Sequence, residues 1–308
     1  MKTLTAAQYK GKYQDQAEVS PDICLHEITP EDCRLPKRAR VSHKYSFGRA
    51  LIVAGAGGYS GAPVLAANAC ERSGAGLTQL MVPESIYPIA AARCDGAVVL
   101  PVRAAEDGGF AACAKAALDG TLQKANALAI GPGLGAGAEA RALARELLCS
   151  VRCPTVVDAD ALRVFADDPT LLDTFPAPLI LTPHEGEFKR LGGDLTQGRL
   201  AGALRFAKAH PRVILILKGS GTLVCREKEI AVNPTGGPAM AKGGSGDVLT
   251  GILCALLAQG FDAWFAAGAA VYLHGFAGDL AAAELGEYCL APSDLIAFLP
   301  SAFRTVTE

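Results

Sequence analysis

Aromatic side chains are scarce in this chain of 308 residues, at 6% with one Trp, whereas half of the residues are hydrophobic and 34 are Gly. That mixture excludes a solvated, disordered chain and suits helices packed closely on a sheet. An excess of one charge is also missing. The formal net charge is −2, from 29 basic and 31 acidic side chains, so no basic footprint for nucleic acid is present. Nor is there a long apolar run. The most apolar region, Val248 to Leu273, is interrupted by Gln259 and Asp262, and neither half reaches the roughly 18 apolar residues that span a bilayer. Residues 1–19 lack the apolar core of a secretion signal. Neither nucleic acid nor a membrane is expected as a partner.

Paired metal-binding cysteines are missing as well. Cys149 and Cys153 stand four apart, but no second Cys pair or His follows at zinc-ligand spacing. Most of the ten cysteines lie in apolar settings such as Ala69-Cys70, Val224-Cys225-Arg226 and Leu253-Cys254-Ala255, where a small buried hydrophobe fits. A chain this large needs no disulfide staples, so free thiols point to a reducing cytoplasm.

Residues 1–45 are polar with scattered prolines and read as an extension holding one short helix. From residue 46 to 308 the texture is that of one domain, in which short apolar runs alternate with Gly-rich or Asp-rich turns and helical patterns. The spacing predicts strands at Ala50 to Ala54, Leu77 to Val82, Ala97 to Leu100, Ala127 to Ile130, Thr155 to Val157, Leu179 to Leu181 and Val213 to Leu217. Thr222 to Cys225 and Glu229 to Val232 read as a hairpin. Helices are predicted at Ala62 to Ser73, Glu139 to Leu148, Leu200 to Ala209 and Asp247 to Ala258, and the Ala-rich stretch Ala263 to Leu273 reads as core or as a subunit contact, with core preferred. The expected class is α/β, with a mostly parallel central sheet and helices on both faces.

Ligands of such sheets bind beyond the carboxyl ends of the strands. Five unusual segments fall there: Gly55-Ala56-Gly57-Gly58, Gly131-Pro132-Gly133-Leu134-Gly135, Asp158-Ala159-Asp160, Thr182-Pro183-His184-Glu185-Gly186-Glu187 and Lys218-Gly219-Ser220-Gly221-Thr222. A further glycine run, Gly243-Gly244-Ser245-Gly246-Asp247, opens an apolar helix. Its backbone N–H groups and the helix dipole suit phosphate oxygens and form a candidate anion hole. Asp247 either caps the helix or takes a proton from a hydroxyl that attacks phosphate. Lys242 is either a second phosphate cation or a solvated charge. Lys218 emerges from the most apolar strand at the ligand edge, and the glycines after it allow either close approach by a nucleotide or a plain hairpin turn. His184 and its neighbouring carboxylates cap a helix or, at Glu187, help to hold hydrated Mg²⁺. The loop from Gly55 departs from a dinucleotide fingerprint, because Ser60 stands where glycine is needed and Glu84 is the first acid after the next strand. No Gly-Lys-Ser/Thr ending of a Walker-type loop occurs.

In their order, these segments resemble the NAD(P)H-hydrate dehydratase family, whose members have a ribokinase-like fold and repair hydrated nicotinamide cofactors. The likeness runs from about Tyr45 to Phe303 and includes Arg72-Ser73-Gly74-Ala75-Gly76-Leu77, Val157-Asp158-Ala159-Asp160-Ala161-Leu162 and Gly244-Ser245-Gly246-Asp247-Val248-Leu249-Thr250-Gly251. It implies that Lys218, Gly219, Ser220, Gly221, Thr222 and Gly246 bind an adenine nucleotide. Ala62, Gly133 and His184 would then line the pocket for NADHX or NADPHX, with Asp247 at the reacting hydroxyl. The resemblance further implies ADP or ATP as phosphate donor, with ADP favoured as in bacterial members, together with Mg²⁺ and a homo-oligomer, often a tetramer. Residues 1–45 are too few for the epimerase domain that many members carry. Two rivals use the same pattern: a hydroxymethyl-pyrimidine or hydroxyethyl-thiazole kinase, and a nucleotide sensor without turnover.

Overall fold

A strand apolar at every position needs cover on both faces. Val213-Ile214-Leu215-Ile216-Leu217 is such a strand, and all five residues are buried. Because side chains alternate, Ile214 and Ile216 join Ile52 and Ile180 in one core. Val213, Leu215 and Leu217 join Leu51, Val53 and Leu181 in another, on the opposite face of the sheet. The computed structural model describes residues 2–13, 15 and 24–307, and it has three layers: the first core lies under helices Gly61–Arg72, Ser245–Ala258, Ala263–Leu285 and Pro292–Val306, the second under Ala138–Ser150, Glu185–Arg190 and Arg199–Ala209. The α/β class with a mostly parallel sheet is therefore as expected.

The strands are β1 (Lys2–Thr3), β2 (Cys24–Glu27), β3 (Arg49–Val53), β4 (Leu77–Pro83), β5 (Val98–Val102), β6 (Ala127–Ile130), β7 (Thr155–Val157), β8 (Leu179–Leu181), β9 (Val213–Leu217), β10 (Leu223–Arg226) and β11 (Glu229–Val232). They form one 11-stranded sheet in the order β1-β2-β11-β10-β9-β8-β7-β6-β3-β4-β5. From β9 to β5 all neighbours are parallel, while β10 runs antiparallel to both β9 and β11. Chain order reverses where β3 meets β6, which makes that junction a topological switch point.

The abundance of Ala and Gly has a direct use. A Cβ added at Gly251 would lie 2.2 Å from the Ala66 carbonyl oxygen, so helices Gly61–Arg72 and Ser245–Ala258 approach as closely as only a glycine permits. The two polar residues that break the apolar run also have roles: Asp262 accepts from the N–H groups of Trp264 and Phe265 and caps the next helix, while Gln259 donates to the Ser73 carbonyl. That helix spans Ala263–Leu285, and Ala266, Ala267, Ala270 and Leu273 along it are buried in the core. Among the described residues no helix is long and apolar enough to cross a membrane. Cys70, Cys225 and Cys254 are free and buried.

Ahead of residue 46, the short helix is present as Ala6–Tyr13, but the segment does more than extend. β2 pairs in parallel with β11, and Tyr9, Leu25, Ile28 and Cys33 are buried. Polar residues hid this strand from pattern reading, since Leu25 is flanked by the part-exposed His26 and Glu27 near the sheet's edge. Residues 1, 14 and 16–23 of the expected extension lie outside the described residues.

Candidate active site

The five strand-end segments singled out in the sequence follow β3, β6, β7, β8 and β9, which are consecutive neighbours in the sheet. Four inter-strand spacings make a row of about 19 Å. That length suits a ligand of dinucleotide size placed across the switch point.

Helix Ser245–Ala258 starts above this row. Gly244 has φ +100, and a Cβ there would press on Leu65 and Pro292. A Cβ on Gly246 would stand 3.2 Å from the Lys218 Nζ, so the glycine brings the helix start onto the ammonium group. The N–H groups of Gly246 and Asp247 lie in the first turn, where no intrahelical acceptor exists, and they add to the positive end of the helix dipole. Gly243 borders open space, and the buried Ser245 hydroxyl has no hydrogen-bond partner among the described residues. Lys242 is exposed, in line with a solvated charge, and its ammonium also donates to the carbonyls of Tyr288 and Leu290, which ties the loop down.

Opposite charges meet beneath the helix start. Lys218 donates to the buried Asp158 at 2.8 Å, Thr250 donates to the other Asp158 oxygen at 2.8 Å, and Glu187 lies 3.9 Å from the same ammonium. Burial alone would lower the Lys218 pKa, but the carboxylates of Asp158, Glu187 and Asp247 outweigh it and hold the group above the usual lysine value. Burial pushes Asp247 up to about 7, the Asp158 carboxylate adds to the rise, and Lys218 opposes it. A carboxyl poised there can change protonation near neutral pH, which a plain helix cap does not need.

His184 is exposed at the start of helix Glu185–Arg190. Its Nδ1 accepts from the Gly186 and Glu187 N–H groups at 2.9 and 3.3 Å, which leaves the proton of the neutral ring on Nε2. Glu187 answers by accepting from the His184 N–H at 2.8 Å, with its second oxygen 3.4 Å from His184 Nε2. Both Glu187 oxygens thus already face donors, and the described residues contain no group of three His, Cys, Asp or Glu able to hold a metal.

Ala62 and Gly133 come together at the switch point. Gly133 has φ +59, and a Cβ on it would fall 3.1 Å from the Ala62 Cβ and 2.9 Å from that of Tyr59. The two loops are also joined through their backbones, since the Gly55 N–H donates to the Pro132 carbonyl, while the Gly135 N–H donates to the Asp160 carboxylate after β7. Ala62 lies in the first turn of helix Gly61–Arg72, whose Leu65 reaches Gly244. Ala62 and Asp247 are therefore on adjacent helix starts.

The segment Lys218 to Thr222 joins two antiparallel strands, so it is a hairpin connection by geometry. Thr222 Oγ1 donates to the Gly219 carbonyl at 2.9 Å and closes the turn. A hairpin and a ligand loop are compatible here, because Gly219 and Ser220 of the turn remain exposed.

Several contributors escaped sequence reading. Asp158 was visible only as one acid of a strand end, and Thr250 as an ordinary helix residue. His274 gave no signal at all, set within the apolar helix Ala263–Leu285. Its Nε2 lies 2.9 Å from the Ser245 carbonyl, and burial pushes its pKa down to about 4 against the opposing hydrogen bond. The ring is neutral at physiological pH and donates to the backbone of the helix start.

Comparison with known proteins identifies the family and the fold. A model of the NAD(P)H-hydrate dehydratase family matches residues 50–301. Bifunctional NAD(P)H-hydrate repair enzymes of Moorella thermoacetica and Vibrio cholerae are 39% and 40% identical over 91% and 86% of the chain. The matches take in 54% and 51% of those enzymes, so the chain spans about half the length of the curated relatives it matches. An ADP/ATP-dependent NAD(P)H-hydrate dehydratase of Bacillus subtilis, co-crystallised with ATP and Mg²⁺, has a TM-score of 0.78 at 31% identity, covering 92% of this chain and 99% of that one. A ribokinase-like protein of Enterococcus faecalis reaches 0.82 at 28% identity, covering 92% and 96%. The fold is ribokinase-like.

Proposed function

Since the chain belongs to the NAD(P)H-hydrate dehydratase family, we propose that it repairs NADHX and NADPHX, using a nucleotide to phosphorylate the C6 hydroxyl of the hydrated nicotinamide ring. The observation that carries this reading is the meeting of Asp247, Lys218 and the first turn of helix Ser245–Ala258, which puts a base and a phosphate cradle at one point. Asp247 accepts the hydroxyl proton as the oxygen attacks the terminal phosphorus and the bridging P–O bond breaks, releasing AMP from ADP or ADP from ATP. Lys218 and the N–H of Gly246 take the charge on the phosphoryl oxygens, with Gly243, Gly244 and Ser245 completing the anion hole. The oxygen then leaves as phosphate while the neighbouring ring carbon gives up a proton, which restores the reduced ring. Ala62, Gly133 and His184 border the dinucleotide, and Gly219, Ser220, Gly221 and Thr222 border the adenine nucleotide.

ADP is the preferred donor in this proposal, on the likeness to bacterial members, with ATP as the alternative. Mg²⁺ enters on the nucleotide's phosphates and its own waters, as suits an ion that keeps much of its hydration. Residues 46–308 form the dehydratase domain behind the N-terminal residues 1–45, and the assembly is a homo-oligomer, taken as a tetramer. Incubation with NADHX, Mg²⁺ and either ADP or ATP should restore the absorbance of reduced nicotinamide, faster with ADP. A flat trace with both nucleotides overturns the dehydratase reading, and phosphoester accumulation without restored absorbance marks a kinase instead.

A further inference from the structure

The family match begins at residue 50, yet the loop Lys218–Thr222 is gripped from outside that match. Tyr13, the last residue of helix Ala6–Tyr13, lays its ring on Gly221: a Cβ built there would fall 2.4 Å from Tyr13 Cδ1 and 2.6 Å from Cε1. Gly221 holds φ +61, a left-handed conformation that this flat contact covers. Two residues beyond Tyr13, the Asp15 carboxylate accepts from the Leu200 N–H at 2.9 Å, at the start of helix Arg199–Ala209. The adjacent Arg199 sends its guanidinium into the same loop and donates to the carbonyls of Ser220, Leu217 and Lys218 at 2.5, 3.2 and 3.3 Å. Its Nε lies 3.1 Å from Glu185, in the helix that His184 caps.

The loop therefore has a glycine-rich covalent path and two external braces. Left-handed glycines give it little stiffness of its own, so its shape depends on the surfaces that press on it. The N-terminal segment is itself anchored, with Tyr9 fully buried and Lys12 paired to Glu27 of β2. A mobile tail would brace nothing.

We propose that the N-terminal segment is a working part of the nucleotide site, with Tyr13 as a positioning residue that holds the Lys218–Thr222 loop in its nucleotide-binding shape. This rests on the functional reading above, which assigns the loop to the adenine nucleotide. The ring face, not the phenol hydroxyl, makes the contact with Gly221. Tyr13→Phe should therefore behave like the parent, whereas Tyr13→Ala should weaken nucleotide binding about tenfold, the equivalent of about 1.4 kcal/mol, and leave the KM for NADHX unchanged.

The test is calorimetric titration of ADP and of ATP, each with Mg²⁺, into the parent, Tyr13→Ala and Tyr13→Phe proteins, with melting curves and the NADHX KM measured alongside. Selective loss of nucleotide affinity in Tyr13→Ala, with recovery in Tyr13→Phe, supports the inference. Equal nucleotide affinity in the parent and Tyr13→Ala overturns it, as does an equal rise in both substrate constants. Should Tyr13→Ala fail to fold, Tyr13→Leu keeps the apolar volume without the flat face and carries the same expectation. Failure of the parent to bind either nucleotide would overturn the functional reading and this inference together, and so is distinguishable from failure of the inference alone.

Discussion

Two helices, Gly61–Arg72 and Ser245–Ala258, begin side by side above the carboxyl edge of the sheet, each behind a glycine-rich loop, and they differ in what lies at their feet. Around Ala62 are Tyr59 and Gly133, with no ionisable group in the first helical turn. Around Asp247 are Lys218, Asp158 and the neutral His274 beneath Ser245. The backbone device is the same and the chemistry is not. A helix start by itself offers shape and a partial charge; a carboxyl raised to about 7 beside a fixed ammonium turns that shape into a place where a proton can move.

Breaking the charged start should have the largest effect. Asp247→Asn is expected to lower kcat by about 10²–10⁴ while nucleotide affinity stays within several-fold; full activity in that variant would remove Asp247 from the mechanism. Because the base must be unprotonated to act, kcat/KM of the parent protein should rise with pH through about 7. The same shift carries a stability sign. Between the unfolded value of 3.8 and about 7 the folded state keeps a proton that the unfolded chain has released, so this group's contribution to stability falls as pH rises through that window. Asp247→Asn should thus melt higher than the parent at pH 8 and at nearly the same temperature at pH 4.

Next in size is the ammonium. Lys218→Ala should raise the nucleotide KM about 10–100-fold, as expected for lost hydrogen bonds to a charged group, with the NADHX KM within about twofold. The reverse pattern would move Lys218 to the other substrate. The smallest effect is expected at the uncharged start. Gly133→Ala places a methyl 2.9 Å from Tyr59 Cβ on a backbone of φ +59, a cost of about 1–2 kcal/mol that should appear as a rise of about tenfold in the NADHX KM. An unchanged NADHX constant would separate Gly133 from the dinucleotide.

Most core strands and the helix at Asp247 were legible because burial on two faces writes itself as unbroken apolar runs, and because glycines mark their ends. β2 was not legible, since Leu25 is its one clear apolar core residue and the partner strand β11 lies some two hundred residues along the chain. Lys242 misled for a related reason. Its position beside the glycine run suggests a phosphate, whereas the carbonyls it binds belong to Tyr288 and Leu290.

The sequence by itself determined the alternation of strand and helix, the glycine turns, and the presence of an acid and a lysine at ligand edges. These follow from local rules of period and backbone freedom. Only the tertiary structure decided that β3, β6, β7, β8 and β9 stand in one row, that Asp158 takes its donors from Lys218 and from Thr250, and that His274 supports Ser245. Parallel pairing joins strands distant in sequence, and the apolar pattern says which face a residue takes but not which strand lies beside it. The raised pKa of Asp247 depends on that assembly, because burial and the neighbouring Asp158 charge exist only once the sheet has brought them together.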